Sequence, residues 1–315
     1  MPRQAASAAG ARVPRATESD RRTAISRLRQ ALVSARNTDG GWGYYSGKTS
    51  RLEPTCWALL ALGTAEDSKA LRESAAAWLL RCQRPQGWLV ENPALPVNIA
   101  FNLLTAFTLI HHRDLVSDEG RRRLFTVGLA SKGLAFPASD TMRQDNSLQG
   151  WSWVDGTFSW VEPTCWGLLA LKKARAGGFV EEAMHARIAE AERLLIDRTC
   201  QPGGWNFGNA SAFGQDLRPY VPTTALGLLA MQDRRQENSV VRGLAALERL
   251  WREELSATAL ALSLVCLDVY GRPYDEPLAQ LIEHTAGALT FGNHNGIAQA
   301  LFALSSVGQP HAFRF

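Results

Sequence analysis

The sequence of 315 residues predicts an all-α protein in which six helix pairs close into one α/α toroid, a double barrel of six inner and six outer helices. Three observations carry this. Amphipathic segments alternate along the chain with segments that are apolar nearly all round. Residues 53–62 and 162–171 differ only at Ala58 versus Gly167, which points to internal repetition. Gly-Trp loops precede these stretches, at Gly41-Trp42 and Gly150-Trp151. A helix apolar on all sides must be surrounded by protein, and an amphipathic partner with one wet face must cover it. Short connections make neighbours antiparallel. Six such pairs suit a closed ring; an open solenoid is the alternative.

The elements follow in order. Residues 17–35 predict a first outer helix, with Ile25, Leu28, Leu32 and Val33 on one face. The first Pro-Thr-Cys-Trp helix then runs to about Gly63, its Pro54 suited to a first helical turn. Residues 67–83 carry the stripe Leu71, Ala75, Trp78, Leu79 and Cys82. After Gly87-Trp88, residues 95–110 form the next apolar helix. Residues 117–132 are helical, and 133–149 are an irregular insertion. The second Pro-Thr-Cys-Trp helix and an amphipathic helix over 179–197 complete the third unit. Beyond Gly204-Trp205, an apolar helix from Tyr220 reaches Met231. Pairs over 238–254 with 256–270, and 275–289 with 295–307, finish the ring. No strand-period segment of useful length is present. Residues 1–19 read as a disordered tail, 20–307 as one toroid domain and 308–315 as a C-terminal tail.

Composition narrows the function classes. Apolar residues make up 46% of the chain and net charge is +4, so a soluble protein with a sizeable core is expected, and nucleic acid is not selected as a partner. Five cysteines without a Cys-x-x-Cys suit free thiols in a reducing compartment. The expected localisation is cytoplasmic; the apolar run over 101–110 is too short to span a bilayer, and peripheral membrane association is left open.

The Gly-Trp units at 40–42, 83–88, 149–151 and 201–205, each followed by a Pro-Thr-type inner helix, resemble the QW repeats of the terpenoid cyclase and protein prenyltransferase superfamily. The likeness covers residues 20–307 and implies the α/α toroid, in the length of one such domain. Class II cyclases of this superfamily protonate an alkene with an Asp-x-Asp-Asp motif at an inner-helix start. Here the corresponding positions read Tyr220-Val221-Pro222-Thr223 and Glu254-Leu255-Ser256-Ala257, and no Asp-x-Asp-Asp occurs. Prenyltransferases hold zinc with Asp, Cys and His. The segment around Asp155-Gly156 resembles theirs, but Thr157 stands at the cysteine position, so no metal and no cofactor are expected.

The inner-helix starts and Gly-Trp loops should share one end of the barrel. Candidate catalytic carboxylates there are Glu53, Glu162, Asp155 and Asp216. For Glu53 and Glu162, helix capping and dipole complementation is the competing role. Candidate ligand-binding residues are Tyr44, Trp57, Trp153, Trp160, Trp166, Tyr220 and His294, forming an aromatic wall that can hold an apolar isoprenoid and stabilise carbocations. Trp42, Trp88, Trp151 and Trp205 read instead as packing wedges. Two functions fit: an atypical terpenoid cyclase or prenyltransferase-like protein binding an isoprenoid-type ligand in the barrel mouth, or a non-catalytic toroid module binding a lipid or a protein segment.

Overall fold

The computed structural model describes residues 16–138, 143–288 and 292–315. Of the expected N-terminal tail, residues 1–15 lie outside these. Helix α1 (Glu18–Ser34) starts at a capping box in which Thr17 and Asp20 bond each other's backbone N–H. The outer helices continue with α3 (Lys69–Arg81), α5 (Asp118–Ala130), α7 (Glu182–Asp197), α9 (Asn238–Leu250) and α11 (Asp275–Ala288). The inner helices are α2 (Leu52–Leu62), α4 (Ile99–His111), α6 (Val161–Ala176), α8 (Val221–Ala230), α10 (Ala257–Val269) and α12 (His294–Ser306).

Each inner helix packs on the next, and α12 returns to α2, so the predicted ring closes. The pairing has a twist. The sequence sets each amphipathic helix ahead of its apolar neighbour, but an outer helix packs against the inner helix that precedes it: α3 on α2, α5 on α4, α7 on α6. Helix α1 therefore covers α12, and the start of the chain seals its end. The sequence reading also missed a two-residue antiparallel hairpin, β1 (Ser211–Ala212) with β2 (Gln215–Asp216). Its strands are too short for a period-2 pattern to register.

The Gly-Trp loops are built to one plan. The backbone N–H of Trp42, Trp151 and Trp205 donates to the hydroxyl of Thr55, Thr164 and Thr224 at 2.9, 3.1 and 3.0 Å. Each indole N–H reaches an outer-helix carbonyl, of Leu32, Gly128 and Leu195 at 2.7, 2.8 and 2.6 Å. All three rings are fully buried. In the remaining loop the wedge is Leu89, not Trp88: Leu89 N–H donates to Asn102 Oδ1 at 2.7 Å and its carbonyl accepts from Asn102 Nδ2 at 3.0 Å. The plan thus survives with Leu and Asn in place of Trp and Thr.

These loops also join neighbouring units. The residue two after each wedge caps the first N–H of the preceding inner helix. Tyr44 O accepts from His294 N at 2.8 Å, Trp153 O from Ile99 N at 2.8 Å and Phe207 O from Val161 N at 2.9 Å. At the fourth junction the Glu91 carboxylate replaces the carbonyl, accepting from Leu52 N at 2.6 Å and from Arg51 Nε at 2.7 Å.

At the opposite end, residues after α12 fold across the barrel. Phe313 is fully buried and lies 5.0, 5.6, 6.1 and 6.2 Å from the rings of Phe107, Phe302, Trp57 and Trp166. Gln232 Nε2 holds the Phe313 carbonyl at 2.7 Å, and Arg314 and His311 bond the buried Asp268 carboxylate at 2.7 and 3.1 Å.

The one difference between the twin stretches has a packing cause. A Cβ on Gly167 would lie 2.4 Å from the Trp151 ring. Gly167→Ala should destabilise the protein by about 1–3 kcal/mol through overpacking, although alanine is the better helix former. Chemical denaturation checks this: a midpoint that rises would show that the Trp151 contact does not set this position.

Candidate active site

The mouth of the barrel is formed by the N-termini of the inner helices. Glu53 and Glu162 are the second residues of α2 and α6, and Trp57 and Trp166 sit one turn below them on the same helix faces. Helices α2 and α6 are separated in the ring by α4, yet the two indoles meet edge to face at 5.8 Å. The faces carrying both carboxylates therefore converge on the barrel axis.

Capping does not occupy these carboxylates. Neither N-cap residue, Arg51 of α2 nor Trp160 of α6, makes a side-chain cap bond. The first N–H groups are satisfied instead by Glu91 and the Phe207 carbonyl. Glu53 accepts the Tyr44 hydroxyl at 2.6 Å and a hydrogen bond from Asn295. Among the described residues Glu162 has only the Trp166 indole N–H, at 3.4 Å. Sequence explains the asymmetry: nine residues before Glu53 stands Tyr44, but nine before Glu162 stands Trp153, whose ring packs edge to face on Phe101 at 5.7 Å.

The electrostatics follow. Burial raises the pKa of Glu53, and the hydrogen bonds from Tyr44 and Asn295 pull it back. Glu162 rises from 4.5 to about 7, first through burial and then through the negative charge of Glu53. The two carboxyls titrate as a coupled pair, and the Glu53 charge helps to hold a proton on Glu162. Burial, then the Glu53 charge, pushes the Tyr44 phenol far above its usual range, so Tyr44 stays a donor.

His294 completes this side of the mouth. Its Nδ1 lies 2.7 Å from the Gly43 carbonyl and therefore carries the hydrogen, leaving Nε2 3.5 Å from the Ser46 hydroxyl. The next residue, Asn295, has a buried side-chain oxygen with no hydrogen-bond partner among the described residues. This is a free acceptor beside Glu53. Below the acids the aromatic layer continues, with Phe302 6.3 Å from Trp57 and Phe107 6.0 Å from Trp166. Trp57 and Trp166 are each only 2% exposed, so they form a floor and not an open wall.

Trp160 and Tyr220 belong to a neighbouring cleft of about 550 Å³, lined also by Asn206, Phe207, Asp216 and Arg218. Trp160 immediately precedes α6, which sets the cleft beside the start of the helix that carries Glu162. Two ring pairs are built here: Trp160 stacks on Phe158 at 4.7 Å, and Phe207 meets Tyr220 at 5.1 Å. Asp216 is exposed on the hairpin, 3.7 Å from Arg143, and Asp155 is exposed at a loop tip. Neither joins the Glu53–Glu162 pair. Sequence reasoning missed Asn295, Phe302, Phe107 and Phe313; the first three were visible only as polar or apolar letters in inner helices. All five cysteines are free, and burial pushes the Cys56 thiol up to about 12, which suits a packing role. Among the described residues no group of three or more His, Cys, Asp or Glu could hold a metal ion.

No family model matches the chain. A drimenyl diphosphate synthase from Streptomyces showdoensis is 26% identical over 216 residues, 67% of this chain but 37% of that protein. The chain therefore spans little more than a third of that relative's length. Among solved structures, the type II terpene cyclase MstE from Scytonema superposes with a TM-score of 0.56 at 16% identity, covering 85% of this chain and 79% of that one. The fold is the terpenoid-cyclase-like α/α toroid. A variant of MstE, similar at a TM-score of 0.54, was solved with its substrate geranylgeranyl dihydroxybenzoate. The toroid is not confined to cyclases: an α-1,6-mannanase from Salegentibacter matches with a TM-score of 0.61 at 9% identity, over 91% of this chain and 99% of that one. In this terpenoid-cyclase-like toroid no described helix is long and apolar enough to cross a membrane.

The acid pair makes stability depend on pH. A carboxyl raised in the folded state favours folding at low pH and loses that advantage between its unfolded and folded values, here from 4.5 to about 7. Glu162→Gln removes the ionisation, and at pH 8 it should recover up to about 3 kcal/mol relative to its effect at pH 4. Urea denaturation of both proteins at the two pH values measures this. An unchanged difference would mean that Glu162 titrates normally.

Proposed function

We propose that the chain is a terpenoid-cyclase-like protein that receives an isoprenoid chain at the barrel mouth, with Glu162 as general acid. The observation that supports this most is the convergence of two buried carboxyls, Glu162 raised to about 7, above an aromatic layer. The raised pKa of Glu162 keeps its proton in place near neutrality. It does not make the carboxyl a stronger acid, so the cation formed on alkene protonation has to be stabilised elsewhere. Ring faces within about 6 Å attract cations, and the Glu53 carboxylate adds a negative charge that Tyr44 holds in position. The cleft lined by Trp160, Phe207 and Tyr220 would hold the apolar chain, with Arg218 at its edge. Asp155 and Asp216 are assigned no proton-transfer role. The 26% identity to a drimenyl diphosphate synthase points in the same direction.

A second reading has its own support. The lower barrel is filled by Phe107, Phe302 and Phe313, so any pocket on the axis is shallow. A non-catalytic module would hold a lipid in the same cleft without converting it.

Incubation with squalene, farnesyl diphosphate and geranylgeranyl diphosphate, followed by mass spectrometry, separates the two. A cyclic product should appear with one of them. Glu162→Gln should lower its rate by about 10²–10⁴-fold, the usual reach of general acid catalysis. With wild-type protein the rate should fall as pH rises through about 7, where Glu162 loses its proton. Glu53→Gln should shift this limb to lower pH, because the neighbouring charge is gone. Ligand retention without product, in wild type and variants alike, leaves only the non-catalytic module.

A further inference from the structure

The barrel end opposite the mouth carries a second cleft, of about 290 Å³, between the C-terminal ends of α4 and α6 and the outer helix α5. Its floor is apolar: Ile110, Ala174 and a stacked ring pair, Phe125 and Phe179, at 4.9 Å and 27°. Its rim is basic, with Arg113, Arg121 and Arg122 facing the single carboxylate of Asp118. Asp118 is taken by Arg121, whose guanidinium also bonds the Arg113 and Val116 carbonyls at 3.0 and 2.7 Å. Among the described residues, Arg113 and Arg122 have no acidic partner; the nearby acids are paired elsewhere, Asp114 with Arg72 and Glu119 with Arg123.

The surroundings show the resulting excess of positive charge. Lys173, just behind the cleft, is pushed down to about 8 by burial and by the Arg113 charge. His111, at the end of α4, is pushed down to about 4 by burial and then by Lys173. A dianion between Arg113 and Arg122 would offset this repulsion. Arginine forks match phosphate oxygens in geometry as well as charge. The cleft volume is at the small end of the ligand-pocket range.

We propose that this cleft is a second ligand site, distinct from the mouth, which takes a phosphate or diphosphate group on Arg113 and Arg122. The apolar remainder of the ligand lies on Ile110 and the Phe125–Phe179 stack. The phosphate could belong to a soluble ester or to a lipid headgroup, and the same two arginines would hold either.

The test uses the full chain. Inorganic pyrophosphate is titrated calorimetrically, and vesicles of phosphatidylglycerol or phosphatidylcholine are tested by co-sedimentation. Pyrophosphate should bind, more weakly as salt rises, and at least tenfold more weakly in the Arg113→Gln/Arg122→Gln double variant. Both side chains are exposed, so the fold should be kept. Gly177→Ala is the independent variant: its added Cβ would sit 1.4 Å from Arg113 Nη2, displacing the flexible guanidinium without removing charge. It should weaken binding several-fold with unchanged circular dichroism. Phosphatidylglycerol capture without pyrophosphate binding, lost in the same variants, supports the site and assigns the phosphate to a lipid. Absence of both, or equal binding by wild type and double variant, overturns the proposal. The readout is binding at the far end of the barrel, so it is independent of whether the mouth turns over an isoprenoid.

Discussion

The toroid depends on a hydrogen bond that four of its loops make to someone else's helix. An α-helix leaves its first N–H groups unpaired, and six inner helices all begin at the same mouth. Most proteins satisfy such groups from the residue just before the helix. Here Asn98, Ser256 and Asn293 do so for α4, α10 and α12, and at α2, α4, α6 and α12 the loop of the next unit takes the first N–H, through the Glu91 carboxylate and the Trp153, Phe207 and Tyr44 carbonyls. Neighbouring units are thereby fixed relative to one another at the rim, while wedges such as Trp42, Trp151 and Trp205 fix each loop to its own helix pair. Ring closure and rim geometry become one problem with one solution.

That arrangement frees the site. Because the helix starts are capped from outside, Glu53 and Glu162 need not cap them. They turn to the axis, where burial raises both carboxyls and the Glu53 charge raises Glu162 further. Tyr44 links the two functions within one residue: its carbonyl holds α12, and its hydroxyl holds Glu53. A change there would disturb the ring and the acid pair together. Trp153, at the matching place in the second unit, keeps the first role and lacks the second. The pair is asymmetric for that reason, and two identical acids in identical motifs come to differ in their hydrogen bonding.

Much of this was legible in the sequence. The alternation of amphipathic and all-apolar segments predicts the layers, and the twin Glu-Pro-Thr-Cys-Trp stretches predict equivalent helix starts. Glu53, Glu162, Tyr44 and His294 were all named from their positions beside those starts. The rest was not legible, for physical reasons. Which outer helix covers which inner helix depends on packing across connections, not on the order of the pattern. The Leu89–Asn102 wedge keeps the hydrogen-bond geometry while changing both letters, so a search for Gly-Trp fixes on Trp88, one residue too early. Phe313 lies past the last periodic segment, where nothing local marks it as core. Only the ring's open lower end creates a place for it. Asp155 and Asp216 looked like Glu53 and Glu162 by residue type, but they stand on exposed loops, away from the inner-helix starts.

The spacing between wedge and anchor carries one more consequence. In three units the wedge residue and its partner are 13 positions apart; in the fourth, Trp205 and Thr224 are 19 apart, and the hairpin fills the difference. Both ends of the longer loop stay locked to the frame by the same bonds as the shorter ones. What lies between them is free to vary in length and letter, and in this chain it supplies Asp216 and Leu217 to the cleft wall. The barrel thus separates inheritance from invention: four anchored sockets of fixed geometry, one of which already holds an exchangeable insert. New pocket shapes can arise by lengthening a single loop, with no helix asked to move.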